Sequence, residues 1–156
     1  MSSFTFEIHV DAPIEATFDA FTDLRNAPDR LEQIVDLEVI TDGPVGAGTR
    51  FRETRVMFGK SCTEEMEVSA FSAPSSYTVS CDSCGCRYET RFDFASDGAG
   101  TQVRATMITT PLSLGAKITA PVMGLVFGKS MRKCFEKDLT QLKAFLESAG
   151  TPVPAT

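Results

Sequence analysis

The chain has 156 residues, 42% of them hydrophobic and 23% charged, with a formal net charge of −6 at pH 7. That length allows one domain with a real core, and the composition is ordinary for a globular protein. The acidic balance argues against a nucleic-acid partner, which clustered Lys and Arg would have to hold, and no apolar run nears the ~20 residues that cross a bilayer. The opening MSSFTFEIHV lacks the basic and apolar regions of a secretory leader. Five cysteines without such a leader point to reduced thiols and a cytoplasmic protein.

Residues 4–10 alternate, with Phe4, Phe6, Ile8 and Val10 on one face and Thr5, Glu7 and His9 on the other. This is the pattern of a half-buried strand. It puts the sole histidine, His9, on the polar side, where a surface role fits better than catalysis or metal ligation. Asp11-Ala12-Pro13 stops the strand, and Pro13 suits a first helical turn. Ile14, Thr17, Phe18 and Phe21 form one apolar stripe that ends at Thr22-Asp23, and a second short helical turn runs through residues 26–31.

From there the chain reads as strands at residues 34–40, 49–57, 60–71, 77–81, 86–94 and 101–109. A Gly-rich loop spans residues 42–48, and turns fall at Phe58-Gly59, Ala73-Pro74-Ser75, Asp82-Ser83-Cys84-Gly85 and residues 97–100. Pro111 closes the series, residues 117–148 make one long helix, and residues 150–156 read as a flexible tail. The predicted fold is α+β, one domain over residues 1–149. A seven-stranded antiparallel sheet has one face to bury, and the long helix is the element able to cover it.

That helix has two unlike halves. From Met131 onward Cys134, Phe135, Leu139, Leu142, Phe145 and Leu146 recur at helical spacing, while Lys133, Glu136, Lys137, Asp138 and Lys143 fall on a solvated back. Residues 121–128 are apolar nearly all round, so they need cover or line something apolar. The expectation is that Val122 to Met131 forms the lid of a pocket and Leu139 to Leu146 clamps the fold. Lys129, Arg132, Lys133 and Lys137 read as a solvated basic stripe. Gly124 and Gly128, four apart, allow close packing or leave room for a ligand.

Strand alternation assigns the inner wall. A two-residue turn at Phe58-Gly59 sets Met57 against Lys60, Arg55 against Cys62, Glu53 against Glu64, and Phe51 against Met66. Val68 and Ala70 continue the inner face of that strand. Tyr77, Val79, Cys86, Tyr88, Thr90, Phe92, Phe94, Val103, Ala105 and Met107 complete the wall. Glu53, Arg55 and Glu64 would then stand among apolar residues, where two opposed carboxylates repel and Arg55 could pair with either. Polar groups converging in an apolar pocket make a binding-site candidate, and a carboxylate so placed could act as general acid or base. A structural ion-pair network accounts for the same residues.

Cys81, Cys84 and Cys86 combine a CxxC with a CxC at one hairpin tip, and Cys62 begins the neighbouring strand. With Cys81 and Cys86 as cross-strand neighbours, four thiols could gather as zinc ligands. Small buried cysteines in a β-wall explain the same pattern, and no βαβ context supports a redox motif. No metal or other cofactor is expected.

Certain stretches also carry a family resemblance. They are Val10-Asp11-Ala12-Pro13-Ile14-Glu15-Ala16-Thr17-Phe18 with Thr22-Asp23, and Gly46-Ala47-Gly48-Thr49 entering a strand. Gly98-Ala99-Gly100-Thr101-Gln102-Val103 and Asp138-Leu139-Thr140-Gln141-Leu142-Lys143 follow. In their order and spacing these resemble the START-like (SRPBCC) superfamily, in particular its polyketide cyclase/dehydrase-like branch, over about residues 3 to 148. The resemblance implies a helix-grip fold. In it a strongly curved sheet wraps around the C-terminal helix, with two short helices between strands 1 and 2 and a cavity between sheet and helix.

The function expected is binding of a small hydrophobic, lipid- or polyketide-like molecule, as a carrier or sensor without chemistry. Its ligand-binding residues would be Phe51, Glu53, Arg55, Met57, Glu64 and Met66, then Val68, Tyr77, Val79, Tyr88, Thr90 and Phe92. Met107, Met123, Phe127 and Met131 would supply a soft, adaptable lining. The alternative is an aromatase/cyclase-like enzyme on a poly-keto or carbonyl substrate, with Glu53 or Glu64 moving protons and Arg55 steadying an enolate oxygen. Third is a protein-interaction module, which an exposed apolar sheet face would favour. That face reads instead as Arg50, Arg52, Glu65, Glu67, Arg87 and Glu89. The expected partners are a small molecule, neither nucleic acid nor a stably inserted membrane, and at most a weak homodimer.

Overall fold

The computed structural model describes residues 2–57 and 59–150, apart from the side chains of Met57, Val126 and Phe127. Phe58 of the first hairpin turn and the tail beyond Gly150 therefore lie outside the described residues. The order is β1 (Ser2–Val10), α1 (Ile14–Thr22), a 3-10 turn (Leu24–Asn26), α2 (Ala27–Arg30), β2 (Ile34–Val39), β3 (Arg50–Met57) and β4 (Lys60–Ser72). It continues with β5 (Ser76–Ser83), β6 (Cys86–Asp97), β7 (Gly100–Pro111) and α3 (Leu114–Gly150). The seven strands form one antiparallel sheet in the order β1-β7-β6-β5-β4-β3-β2. Only β1 leaves chain order: it lies beside β7, and the two short helices carry the chain from it to β2 at the opposite edge.

Register follows the hairpin spacing: Met57 pairs with Lys60, Arg55 with Cys62, Glu53 with Glu64 and Phe51 with Met66. Two irregularities break the alternation, at Ile34/Asp36 in β2 and at Val68/Ala70 in β4. Bulges bend and twist a strand, which is how a flat sheet becomes a curved one. The second corrects the expected face of Ala70. The extra residue at Ser69 turns Ala70 to solvent and brings Phe71 inside, where its ring meets Phe18 edge to face at 5.3 Å.

The core packs α1 against the sheet through aromatic rings. Phe18 is 1% exposed and meets Phe71, Tyr77 and Phe94, while Phe21 meets Phe92 and Phe94. The Tyr77 hydroxyl donates to the Phe21 carbonyl at 3.2 Å, so burial leaves it bonded. At the entry to β7, Thr101 Oγ1 donates to the Ala12 carbonyl at 2.7 Å. Gly100 sits so close beneath β1 that a Cβ would lie 2.6 Å from the Val10 carbonyl. His9, half-buried at the same edge, reaches Asp11 at 3.0 Å and Asp97 at 3.1 Å.

The second half of α3 lies along the sheet, with Leu139, Leu142 and Leu146 all buried. Polar ties lock it to the start of the chain. Glu147 Oε2 accepts from the Asp11 amide at 3.0 Å, Lys143 donates to the His9 carbonyl, and Gln141 Oε1 accepts from the Glu32 amide at 3.1 Å.

The first half of α3 corrects the lid expectation. Val122, Met123 and Leu125 are 60, 52 and 86% exposed. The helix face that begins with buried Ala116 and half-buried Ala120 continues with small residues, exposed Gly124 and half-buried Gly128. A Cβ on either glycine would meet nothing within 4 Å, so close packing is not their role. At ~1.5 Å per residue the helix exceeds ~50 Å, longer than the strands it crosses. Its early turns are tied near their start, where the Leu112 amide bonds the Gly85 carbonyl at 2.8 Å.

Candidate functional site

A cavity of about 370 Å³ lies between the curved sheet and α3. Its floor is built from alternate residues of β3 to β7, because successive side chains of a strand point to opposite faces. Phe51, Glu53, Arg55, Glu64, Met66, Tyr77, Val79, Tyr88, Thr90, Phe92 and Met107 all reach it. Its roof is Met131, Cys134, Phe135, Asp138, Leu139 and Leu142 from α3, and Phe21, Leu24, Ala27, Leu31, Ile34 and Leu37 close the side.

The expected lining is therefore largely brought together, with differences at the helix. Met131 lines the cavity, whereas Met123 does not, being more than half exposed on the early part of α3. Val68 is buried one layer deeper, packed with Phe51 and Leu24 rather than facing the void. The side chains of Met57 and Phe127 lie outside the described residues.

The sequence pattern placed Asp138 on the solvated back of α3. It instead faces inward, on the same stripe as Met131, Cys134, Phe135 and Leu142, and that spacing of three and four was the available signal. Arg55 Nη1 donates to Asp138 Oδ2 at 2.7 Å, Arg55 Nε to Glu53 Oε1 at 3.0 Å, and Nη1 also to Gln33 Oε1 at 3.2 Å. Burial acts to lower the Arg55 pKa, but the two carboxylates outweigh it and the net direction is up. Burial also pushes the Asp138 carboxyl above its ordinary range against the pull of Arg55, and Asp138 Oδ1 is buried without a hydrogen-bond partner among the described residues. The cluster pins α3 to β3 through the Nε and Nη1 of Arg55.

Glu53 and Glu64 are directly opposed in the ladder, yet each turns to a different partner. Glu53 takes Arg55, while Glu64 Oε1 accepts from Ser83 Oγ at 2.8 Å and from Cys62 Sγ at 3.5 Å. Ser83, on β5, was not among the predicted site residues. The cysteines divide accordingly. Cys81 pairs with Tyr88 across β5 and β6, and it is Ser83, not Cys81, that faces Cys86, because Cys84-Gly85 alone makes the turn. Both turn residues have positive φ, 52° and 76°, as a two-residue hairpin of this hand requires.

Cys86 is buried, Cys84 exposed, and the Cys81 thiol is pushed up to about 11 by burial and by Glu64. The hydrogen bond to Glu64 likewise raises Cys62. Thiols held protonated beside a carboxylate make poor ligands. Among the described residues no group of three or more His, Cys, Asp or Glu is arranged to hold a metal ion.

A curved seven-stranded antiparallel sheet that grips a long C-terminal helix across an apolar cavity defines the helix-grip, START-like (SRPBCC) class of protein. Residues 1–147 match the family model described as polyketide cyclase / dehydrase and lipid transport, and the chain belongs to that family. Among solved structures, the protein TTHA0849 from Thermus thermophilus aligns with a TM-score of 0.78 at 23% identity, covering 96% of this chain and 100% of its own. A START superfamily protein from Mycobacterium smegmatis aligns at 0.76 and 16% identity, over 94% and 98%. The di-domain ARO/CYC StfQ of the steffimycin biosynthetic pathway aligns at 0.76 and 14% identity, over 96% of this chain and 52% of its own. At these identities the likeness is one of fold. No curated protein matches the chain.

Proposed function

We propose that the protein binds a small hydrophobic molecule in the cavity between sheet and α3, as a carrier or sensor without chemistry. The observation that carries this reading is the cavity's lining. Phe, Met, Leu, Val and Ile side chains make most of it, and its one guanidinium is already bonded to two carboxylates. A void of this size with few convergent polar groups is the usual form of a small-molecule site.

The test is a thermal-shift panel of lipids and polyketide-like compounds. A ligand present at about 100 times its Kd adds roughly 2.7 kcal/mol, which for a chain of this size raises Tm by about 5–10 °C. Thr90→Phe, which fills the void from the sheet side, should keep the far-ultraviolet circular dichroism and remove the shift. No shift with any apolar compound would sink the proposal.

The cyclase-like reading keeps one specific support. Glu64 lines the cavity, holds Ser83 and Cys62, and has no ion-pair partner among the described residues. Arg55, the expected oxyanion partner, is occupied by Glu53 and Asp138, which weighs against it. Glu64→Gln tests that reading directly, since unchanged turnover of a poly-keto substrate would remove the one candidate base that is not already paired with Arg55.

A further inference from the structure

We infer that the outward face of the first half of α3 is a docking surface for an anionic lipid bilayer. Leu114, Ile118, Val122 and Leu125 recur at intervals of four, four and three, so they share one face of the helix. They are 79, 76, 60 and 86% exposed, and Leu112 just before them is 54% exposed. Burying a large aliphatic is the main favourable term available to a fold. Four in a row turned to water, while Ala116 and Ala120 are the covered residues of these turns, make a surface waiting for an apolar phase. Along the helix the stripe is roughly 16 Å long.

The charge around it selects the partner. The chain as a whole is acidic, at −6, yet from Gly98 to Phe135 it contains no Asp or Glu. Elsewhere most of the bases are matched: Arg30, Arg50, Arg52, Arg55, Arg87, Arg91, Arg104, Lys137 and Lys143 each hold a carboxylate. Lys117, Lys129, Arg132 and Lys133 hold none among the described residues. Lys129 continues the outward face directly below Leu125, Lys117 and Lys133 flank it, and Arg132 follows with its guanidinium over the Phe4 ring at 5.3 Å.

An exposed aliphatic stripe with a basic border, on an otherwise acidic protein, is complementary to a surface apolar beneath and negative on top. That is a bilayer containing anionic lipid. A second copy of this chain would bring the same four bases against each other. No helix among the described residues is long and apolar enough to cross a membrane, so the geometry is one of lying in the interface. The next turns of α3 roof the cavity from Met131 on, which places docking face and cavity roof in succession on one helix.

The experiment is co-sedimentation of the full chain with phosphatidylcholine vesicles, with and without phosphatidylglycerol, at low and high salt. Binding is expected only with phosphatidylglycerol and should weaken as salt rises. Each basic residue near an anionic surface is worth roughly fivefold in affinity, so K129E/K133E should lose about 25-fold or more. I118E/L125E should abolish binding. All four positions are exposed, so Tm without vesicles should stay at the wild-type value and show that the variants fold.

Wild type remaining in solution with both vesicle types overturns the inference. So does I118E/L125E binding like wild type, or sedimentation velocity showing a wild-type dimer that this variant dissociates. The thermal-shift panel is read without vesicles, so failure of the cavity reading and failure of this one give separate results.

Discussion

Residues 114–128 and 131–150 of α3 are both rich in apolar side chains, but Leu125 is 86% exposed and Leu139 only 2%. Intrinsic helix propensity does not separate two leucines on one helix; what lies opposite them does. The later half has a curved sheet under it, three buried leucines and an ion cluster reaching to β3. The earlier half is covered only at Ala116 and in part at Ala120, and Val122, Met123, Gly124 and Leu125 are all exposed. The same residue type is therefore a structural clamp in one half and an exposed binding element in the other.

The comparison breaks most sharply at Arg55. Arg55→Met leaves Glu53 and Asp138 facing each other beneath α3 with no cation between them. Losing one member of a buried pair should cost about 3–5 kcal/mol, read by urea titration. The pH dependence has a defined sign. Without Arg55 the Asp138 carboxyl, already raised by burial, loses the cation that pulls it down, so the folded chain binds more protons than the unfolded one. Stability should then fall as pH rises above the ordinary carboxylate range, a slope the wild type should show only weakly. If the variant loses nothing between mildly acid and neutral pH, the cluster does not hold the later half.

Leu139→Ala comes next, with an expected loss of about 2–5 kcal/mol from a nearly sealed site. Gly124→Ala in the earlier half should stabilise by ~0.5–1 kcal/mol, because a Cβ there meets nothing and only the backbone entropy of glycine is relieved. Leu125→Ala should change stability by less than about 0.5 kcal/mol. A Leu125→Ala loss equal to that of Leu139→Ala would show that both halves are packed and end the distinction.

Much of the sheet was legible because its rules are local. A period of two, punctuated by Phe58-Gly59, assigns register between β3 and β4, and register puts Phe51, Glu53, Arg55, Glu64 and Met66 on one face without any tertiary information. The reading failed where one residue breaks the period. Ser69 enters β4 as a bulge, and its sequence neighbours Val68 and Ala70 still look like an unbroken alternation. It failed also at the Cys81–Cys86 pairing, where a four-residue turn was assumed and Cys84-Gly85 suffices.

Returning to α3, its existence, its length and its stripe of Leu139, Leu142 and Leu146 follow from spacing alone, since 3.6 residues per turn is a property of the backbone. Where the sheet ends beneath it was decided only by tertiary structure. The partner of Asp138 lies 83 residues away on β3, and the limit of cover before Met131 depends on how far a curved sheet reaches along the helix. Local periodicity says which side of a helix is apolar. Whether that side meets a core, a cavity or solvent depends on elements that only the folded chain brings alongside it.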